Sequence, residues 1–128
     1  MKVAIAGAGK VGAFIARHLR DGGHTVDIYE QDADVVDRLR IAHPDISFHL
    51  GDTCEVSFLE AAGLRGADVL VAATGDDEDN LVASLLAKQE FAVPRVVARV
   101  NHPDNEWLFN ETWGVDVSVS APHLFCWQ

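Results

Sequence analysis

The chain has 128 residues, which is enough for one domain with a hydrophobic core. Hydrophobic residues make up 48% and charged residues 23% of the sequence, as in ordinary folded proteins, and no apolar run approaches the roughly 20 residues that cross a bilayer. The formal net charge of -10 repels phosphate backbones, so composition argues against nucleic acid as a partner.

Six apolar runs predict β-strands, and segments with helical spacing separate them. The strands are predicted at residues 2–6, 25–29, 46–50, 68–73, 95–100 and 115–119. The helices are predicted around Phe14–Leu19, Val35–Ala42, Val56–Ala62, Leu81–Leu86 and Pro103–Trp113. This alternation, with strands apolar on both faces, predicts an α/β fold, namely a Rossmann-like, doubly wound, parallel six-stranded sheet with helices on both faces.

A glycine-rich loop follows the first predicted strand and opens the first helix. It reads Gly7-Ala8-Gly9-Lys10-Val11-Gly12, a GxGxxG pattern. Gly7 permits a tight turn, Gly9 lets a pyrophosphate approach the backbone, and Gly12 lets the helix pack closely on the strand. The free N–H groups at the helix start would face the phosphates, so this stretch predicts a nucleotide site.

The next two strand ends carry residues suited to an adenosine. Glu30 and Gln31 follow the second strand, and a carboxylate there can accept hydrogen bonds from both ribose hydroxyls while repelling a 2′-phosphate. NADP is therefore a less favoured ligand than NAD, ATP or ADP, which Glu30 does not separate. Asp52 and Thr53 follow the third strand and could meet the adenine edge and its ribose, although Asp52 also suits a helix N-cap.

The fourth and fifth strand ends complete the predicted site. Ala73, Thr74 and Gly75 lie where the middle of a nucleotide would pass. The acidic residues 76–79 complement a helix dipole, and a divalent cation there is the open alternative. Arg99, inside an apolar strand, calls for an anionic partner.

Three further features are interpreted from their positions. Lys10 lies in the glycine loop against the helix dipole, which a bound polyphosphate would explain. Trp107 and Trp113 share one predicted helix, and either core packing or a subunit contact explains them. Cys54 and Cys126 have neither metal-site nor disulfide spacing, which suits a reducing cytoplasm, and no metal site is predicted.

The combined pattern resembles the TrkA-N, or RCK/KTN, family: the nucleotide-binding regulatory domain of Trk/Ktr potassium-uptake subunits and of RCK-controlled potassium channels. The matching stretches are VAIAGAGKVGAFIARHL, YEQD, LGDT, ADVLVAATGDDEDNLVASLLAKQ, VARVNHPDNEWLF and WGVDVSVSAP. The resemblance runs from Lys2 to about Pro122. Its most specific element is GD after the third strand combined with DDEDN opening the fourth helix.

The resemblance implies a regulatory subunit at the cytoplasmic face of a membrane-embedded potassium transporter, gating it on binding NAD(H) or ATP/ADP. It also implies a homodimer or a higher ring, with Lys10 reaching terminal phosphates and Arg99 near the phosphates. Residues 1–120 would form this domain. Residues 121–128 would be a short tail, without the second ligand-binding domain that Trk-type subunits usually carry.

An alternative is the NAD-binding domain, or a fragment, of a dehydrogenase. Six strands and five helices use up the chain, which leaves no substrate domain, and no Ser-Tyr-Lys or His-Asp pair stands out in the sequence. We therefore expect a nucleotide sensor and not an enzyme. A structural module without a ligand would leave Glu30, Asp52 and Arg99 unexplained at one edge.

Overall fold

The computed structural model describes residues 1–120, and they form one six-stranded, all-parallel sheet with the strand order β3-β2-β1-β4-β5-β6. The strands are β1 (Lys2–Ala6), β2 (Thr25–Glu30), β3 (Ser47–Leu50), β4 (Val69–Ala72), β5 (Arg95–Val100) and β6 (Val117–Ser120). The α-helices are α1 (Lys10–Asp21), α2 (Ala33–Ala42), α3 (Val56–Ala61) and α4 (Asp77–Gln89). The predicted doubly wound parallel sheet is confirmed.

Helices cover both faces of the sheet because alternate residues of the central strand point to opposite sides. On β1, Val3 and Ile5 pack in one core cluster with Ala16 of α1 and Val36 of α2. Ala4 and Ala6 of the same strand pack in a second cluster, to which α3 and α4 contribute. Strand β1 is therefore buried on both sides, which explains its uninterrupted apolar sequence.

The chain order places a cleft at the carboxyl end of β1. Strand β1 pairs with β2 on one side and with β4 on the other. The connections that leave β1 and β4 lie on opposite faces of the sheet, so the loops after these two strands diverge. In open α/β sheets this switch point is where ligands bind.

The apolar side of α1 differs from the prediction. Phe14 is 62% exposed and His18 is also exposed, so neither belongs to the core stripe. The buried side is built instead from Gly12 and Ala16, with Ile15 and Leu19 partly buried against the same cluster. The small residues Gly12 and Ala16 bring the helix axis close to the sheet, which turns Phe14 outward.

The predicted fifth helix is wrong, because two short 3-10 helices replace it, at Pro103–Leu108 and Glu111–Trp113. The Asn110 side chain accepts a hydrogen bond from the Thr112 N–H at 2.9 Å and starts a separate turn, which breaks a continuous helix. Trp113 packs against the core cluster beside β5, whereas Trp107 is 74% exposed.

Two sequence features lie outside the described residues, namely the predicted tail 121–128 and Cys126. Within residues 1–120, no helix has both the length and the apolar character that a membrane crossing requires.

Candidate functional site

A cleft of about 440 Å³ opens at the carboxyl ends of the strands. It is lined by Gly7, Ala8, Gly9, Tyr29, Glu30, Gln31, Gly51, Thr53, Ala73, Thr74, Gly75, Asp76, Asp79 and Arg99. Most of the residues predicted from the strand ends therefore line one cavity. Lys10, Val11, Gly12 and Asp52 do not line it.

The three glycines of the loop have different structural requirements. Gly7 has φ +110°, and a Cβ there would lie 2.9 Å from the Ala73 carbonyl oxygen, so the turn between β1 and α1 requires glycine. A Cβ on Gly12 would overlap the Gly7 carbonyl oxygen. Gly9 has no atom near its missing side chain, and its open side belongs to the cleft.

Helix α1 begins without a side-chain cap and with no acidic residue in its first turn. In contrast, Asp32 caps α2, Asp76 caps α4, and both of these helices carry acidic residues in the first turn, whereas the six-residue α3 also begins without a side-chain cap. The first N–H groups of α1 thus have no side-chain acceptor, and the positive end of its dipole is not neutralised locally. This is the arrangement that accepts an anion at a helix start.

Glu30 is held in place by three backbone donors. Its Oε1 accepts from the Ala8 N–H of the glycine loop at 2.9 Å. Its Oε2 accepts from the N–H groups of Gln31 at 3.0 Å and Asp32 at 2.9 Å. The carboxylate is therefore fixed at the wall of the cleft beside the glycine loop, where a diol would meet an oriented acceptor pair.

Asn80, which is fully buried, holds the opposite wall. Its Oδ1 accepts from the Thr74 N–H at 2.9 Å. Its Nδ2 donates to the carbonyl oxygens of Thr74 and Arg99, each at 3.0 Å. One side chain thus joins the loop after β4 to the end of β5, so the DDEDN stretch shapes the cleft through its last residue.

Asp77 ties the same region to the segment after β5. Its carboxylate accepts from the N–H groups of Asn101 and His102 and from the amide groups of Asn101 and Asn105, at 2.7 to 3.1 Å. Burial opposes the charge, but these hydrogen bonds outweigh it and lower the pKa of the carboxyl.

The acidic run 76–79 therefore serves mainly the local structure. Asp76 caps α4 by accepting from the Asp79 N–H at 3.1 Å, and Asp77 holds the segment after β5. Among residues 1–120, no three His, Cys, Asp or Glu side chains converge in a way that would hold a metal ion.

Arg99 lies at the cleft and has no carboxylate partner among residues 1–120. Its Nε is buried without a hydrogen-bond partner. No carboxylate of the described residues lies within 4 Å of its guanidinium group. A partly buried cation whose Nε lacks a partner is stabilised when an anion enters the cleft.

Asp52 makes a local contact, and its role beside the adenosine stays a prediction. Its Oδ1 accepts from the Cys54 N–H at 2.8 Å, so the carboxylate closes the turn before α3 and does not line the cleft, whereas its neighbour Thr53 does. Burial, followed by the charge of Asp79, raises the pKa of the Cys54 thiol to about 12, so the thiol stays protonated at neutral pH.

Four lining residues were not predicted: Tyr29, Gly51, Asp76 and Asp79. Tyr29 and Gly51 occupy strand ends, so the rule used for their neighbours would have found them. Asp79 reaches the cleft because α4 starts beside the turn before α3, where its Oδ1 lies 3.6 Å from the Cys54 Sγ. No local sequence signal indicates that packing.

Lys10 lies beside the cleft and not in it. It lines a separate groove between α1 and α2, which shares Ala8, Gly9 and Glu30 with the cleft. Its ammonium group makes no hydrogen bond or ion pair within residues 1–120.

The structure also contains a His–Asp pair that the sequence analysis did not find. His49 Nε2 lies 2.9 Å from Asp27 Oδ1, between β3 and β2. Neither residue lines the cleft. Asp27 is buried and His49 is partly exposed, and Tyr29 packs edge-on against the His49 ring.

The parallel sheet, the glycine loop, the uncapped helix start and the oriented acidic residue together define a Rossmann-like domain with a cleft of the nucleotide-binding kind. The chain belongs to the TrkA-N domain family, whose family model matches residues 3–121. The resemblance inferred from the sequence motifs is therefore confirmed.

One curated relative is the Trk system potassium uptake protein TrkA of Mycobacterium tuberculosis strain H37Rv. It is 57% identical over 124 residues, which are 97% of this chain and 56% of that protein. The chain thus spans about half the length of the curated relative that it matches.

Solved structures share the fold. The Kef CTD of Shewanella denitrificans in its AMP-bound form has a TM-score of 0.82 at 25% identity, covering 98% of this chain and 75% of that one. The GsuK channel bound to NAD has a TM-score of 0.81 at 18% identity, covering 92% of this chain and 21% of that one. A GsuK structure bound to ADP has a TM-score of 0.79 at 24% identity, covering 96% and 31%.

Proposed function

We propose that this chain is the nucleotide-sensing part of a potassium-uptake protein, and that it binds NAD(H) or ATP/ADP in the cleft. The observation that carries the proposal is Glu30, held by three backbone N–H groups beside an uncapped glycine loop. The ligands named for Kef CTD and GsuK support the adenine nucleotide class.

The roles of the cleft residues follow from their chemistry. The glycine loop and the first N–H groups of α1 bind the phosphates, and Glu30 accepts from the ribose hydroxyls while repelling a 2′-phosphate. Thr53 lies on the adenosine side. Thr74, which Asn80 holds, contacts the remainder of the ligand together with Gly75 and the cation Arg99.

Binding regulates a membrane-embedded potassium transporter through a change of shape in a cytoplasmic assembly, a homodimer or a ring. A ligand shifts such an assembly only by its difference in affinity for two shapes. Between ATP and ADP, that difference is the terminal phosphate, which Lys10 meets from the adjoining groove. Between NAD and NADH, it is the charge and shape of the nicotinamide. The role is regulatory and not catalytic, and the relative's name supports the potassium-uptake context.

The His49–Asp27 pair does not support the dehydrogenase alternative. A general acid must reach the substrate, and neither residue lines the cleft.

The first test is thermal unfolding of the 128-residue chain with NAD, NADH, NADPH, ATP, ADP and AMP, each at the same concentration. A ligand at 100 times its dissociation constant adds about 2.7 kcal/mol to the stability of the native state. We expect a clear rise in Tm with NAD(H), ATP or ADP and a weak one with NADPH.

Glu30→Gln should reduce this rise for every adenine nucleotide and weaken the preference against NADPH. Glu90→Gln is the matched control, because Glu90 is exposed and lies away from the cleft. Stabilisation by NADPH above the other nucleotides, or an unchanged rise in the Glu30 variant, would contradict the ribose assignment.

Lys10→Ala tests the terminal phosphate separately. Calorimetric titration should show a larger loss of affinity for ATP than for ADP, because only ATP has the additional phosphate charge. Equal losses for the two nucleotides would remove Lys10 from this role and leave the Glu30 assignment standing.

A further inference from the structure

The groove between α1 and α2 combines cations with exposed apolar side chains. It measures about 650 Å³ and carries Lys10, Arg17 and Arg38, none of which forms an ion pair with any residue of the described chain. Phe14, 62% exposed, forms one side. Glu30 and Asp32 also line the groove, but their carboxylates accept from backbone N–H groups. The three unpaired cations outnumber these two carboxylates in a chain of net charge -10, which favours an anionic partner at this surface.

An acidic surface with an exposed tryptophan projects from the 3-10 helix Pro103–Leu108. Its tip is Trp107, 74% exposed, and we use "Trp107 knob" for this residue with the exposed carboxylates of Asp104, Glu106 and Glu111. Within residues 1–120, no Lys, Arg or His nitrogen lies within 4 Å of these three carboxylates. An exposed tryptophan among acidic residues is typical of an interface anchor.

The backbone that carries the knob is firmly placed. Phe109 is buried immediately after it, and the Asn105 side chain donates to Asp77 at 2.9 Å. The Asn110 side chain donates to the Trp107 carbonyl oxygen at 3.2 Å. The backbone at Trp107 is therefore held in place, which lowers the backbone entropy lost when the knob docks.

We propose that the α1–α2 groove of one chain receives the Trp107 knob of a second copy. The indole fits an apolar floor of Val35 and Leu39 beside Phe14, while the acidic residues of the knob face the groove cations. Charge and apolar character are complementary between these two surfaces of the same sequence.

The contact joins two different surfaces. The groove lies on the face of the sheet that α1 and α2 cover. The segment that carries the knob instead packs, through Leu108 and Phe109, on the core cluster beside β5 that includes Leu81 of α4. Knob and groove therefore meet between copies of the chain. Two copies can exchange the contact reciprocally in a dimer, or successive copies can bind head to tail and close into a ring when the rotation between them allows it. The inference goes beyond nucleotide binding and does not depend on it, so it is tested in nucleotide-free protein.

The test compares three variants of the 128-residue chain by light scattering over a range of concentrations. Trp107→Ala removes the knob, and Phe14→Ala with Arg17→Glu removes the groove. Each should weaken self-association at least tenfold. Ile41→Ala is the control, because Ile41 is 85% exposed but belongs to neither surface, and it should associate as the wild type does. Circular dichroism checks that each variant is folded.

A mixture provides the sharper measurement. The Trp107 variant keeps its groove and the groove variant keeps its knob, so a one-to-one mixture should form a heterodimer of twice the 13.9 kDa chain mass, seen by native mass spectrometry. A contact between two Trp107 knobs would not be restored by mixing.

Three results would overturn the proposal. They are a wild-type chain that stays monomeric, variants that associate as the wild type does, and a mixture that remains monomeric. A monomeric chain that sediments with phosphatidylserine vesicles through Phe14 would assign the groove to a membrane surface instead. The net charge of -10 argues against that assignment.

Discussion

Gly9 and Gly12 lie three residues apart in the GxGxxG motif, at the N-cap and inside α1, and they are required for different properties of the protein. Gly12 lies against the Gly7 carbonyl oxygen, so its lack of a side chain is required for α1 to pack on β1. Gly9 faces open space in the cleft and has φ -70°, a backbone angle that any residue adopts. Its lack of a side chain matters only when a ligand approaches.

Alanine substitutions should therefore separate stability from binding. Gly12→Ala should lower the free energy of unfolding by about 1–3 kcal/mol through overpacking. Gly9→Ala should change it by less than about 1 kcal/mol, the scale of an N-cap substitution, while weakening nucleotide binding at least tenfold. Urea unfolding and calorimetric titration measure the two quantities. Full nucleotide affinity in Gly9→Ala would contradict placing phosphates at this loop.

At the scale of elements, the first turn of α4 joins three segments. Asn80 connects the loop after β4 to the end of β5, and Asp77 connects α4 to the residues that lead into the Trp107 knob. The wall of the cleft and the base of the knob thus depend on neighbouring side chains of one helix. Because these contacts are buried, removing either side chain leaves polar groups without partners.

Asp77→Asn should destabilise the fold in a pH-dependent way. The pKa of Asp77 is lowered in the folded state, so the carboxylate contributes stability above the unfolded pKa of about 3.9, and this contribution is lost as pH falls through the folded pKa. We expect a loss of about 3 kcal/mol at pH 7 that shrinks in acid, measured by urea unfolding at several pH values.

Glu78→Gln is the control for this prediction, because Glu78 is exposed in the same turn and accepts none of the four hydrogen bonds. A difference between wild type and Asp77→Asn that stayed constant from pH 7 down to pH 2 would show that packing, and not the charge, accounts for the effect.

At the scale of the whole molecule, the cleft and the α1–α2 groove are neighbours. They share Ala8, Gly9 and Glu30, and Lys10 stands at their junction. In the proposals above, Lys10 meets a terminal phosphate in one state and the acidic knob of a second copy in another. One ammonium group does not pair fully with a phosphate and with the carboxylates of the knob at the same time. Nucleotide binding and self-association therefore weaken each other.

Saturating ATP should therefore weaken self-association several-fold, and ADP should weaken it less. Sedimentation equilibrium with and without each nucleotide measures the change. In Lys10→Ala the association should become insensitive to which nucleotide is present. If ATP instead strengthened association in the wild type, the competition for Lys10 would be wrong, although the knob-and-groove contact itself would stand on the mixing experiment.

The sequence by itself determined the fold class and most of the cleft. Apolar runs of strand length mark β1 to β5 closely, most clearly in β1 and β2, which are buried on both faces. Parallel strands bring their carboxyl ends to one edge. The glycine loop and the strand-end residues Glu30, Thr53, Thr74 and Arg99 could be placed at a common site for that reason.

Only the tertiary structure decided which side chains reach the cleft, which pack in the core and which stay exposed to solvent. The sequence does not show that Asp79 reaches the cleft beside α3, or that Phe14 and Trp107 face solvent while Trp113 packs against the core. These outcomes depend on contacts between elements distant in sequence. Local periodicity identifies an apolar residue, but the packing of neighbouring elements decides whether it is covered.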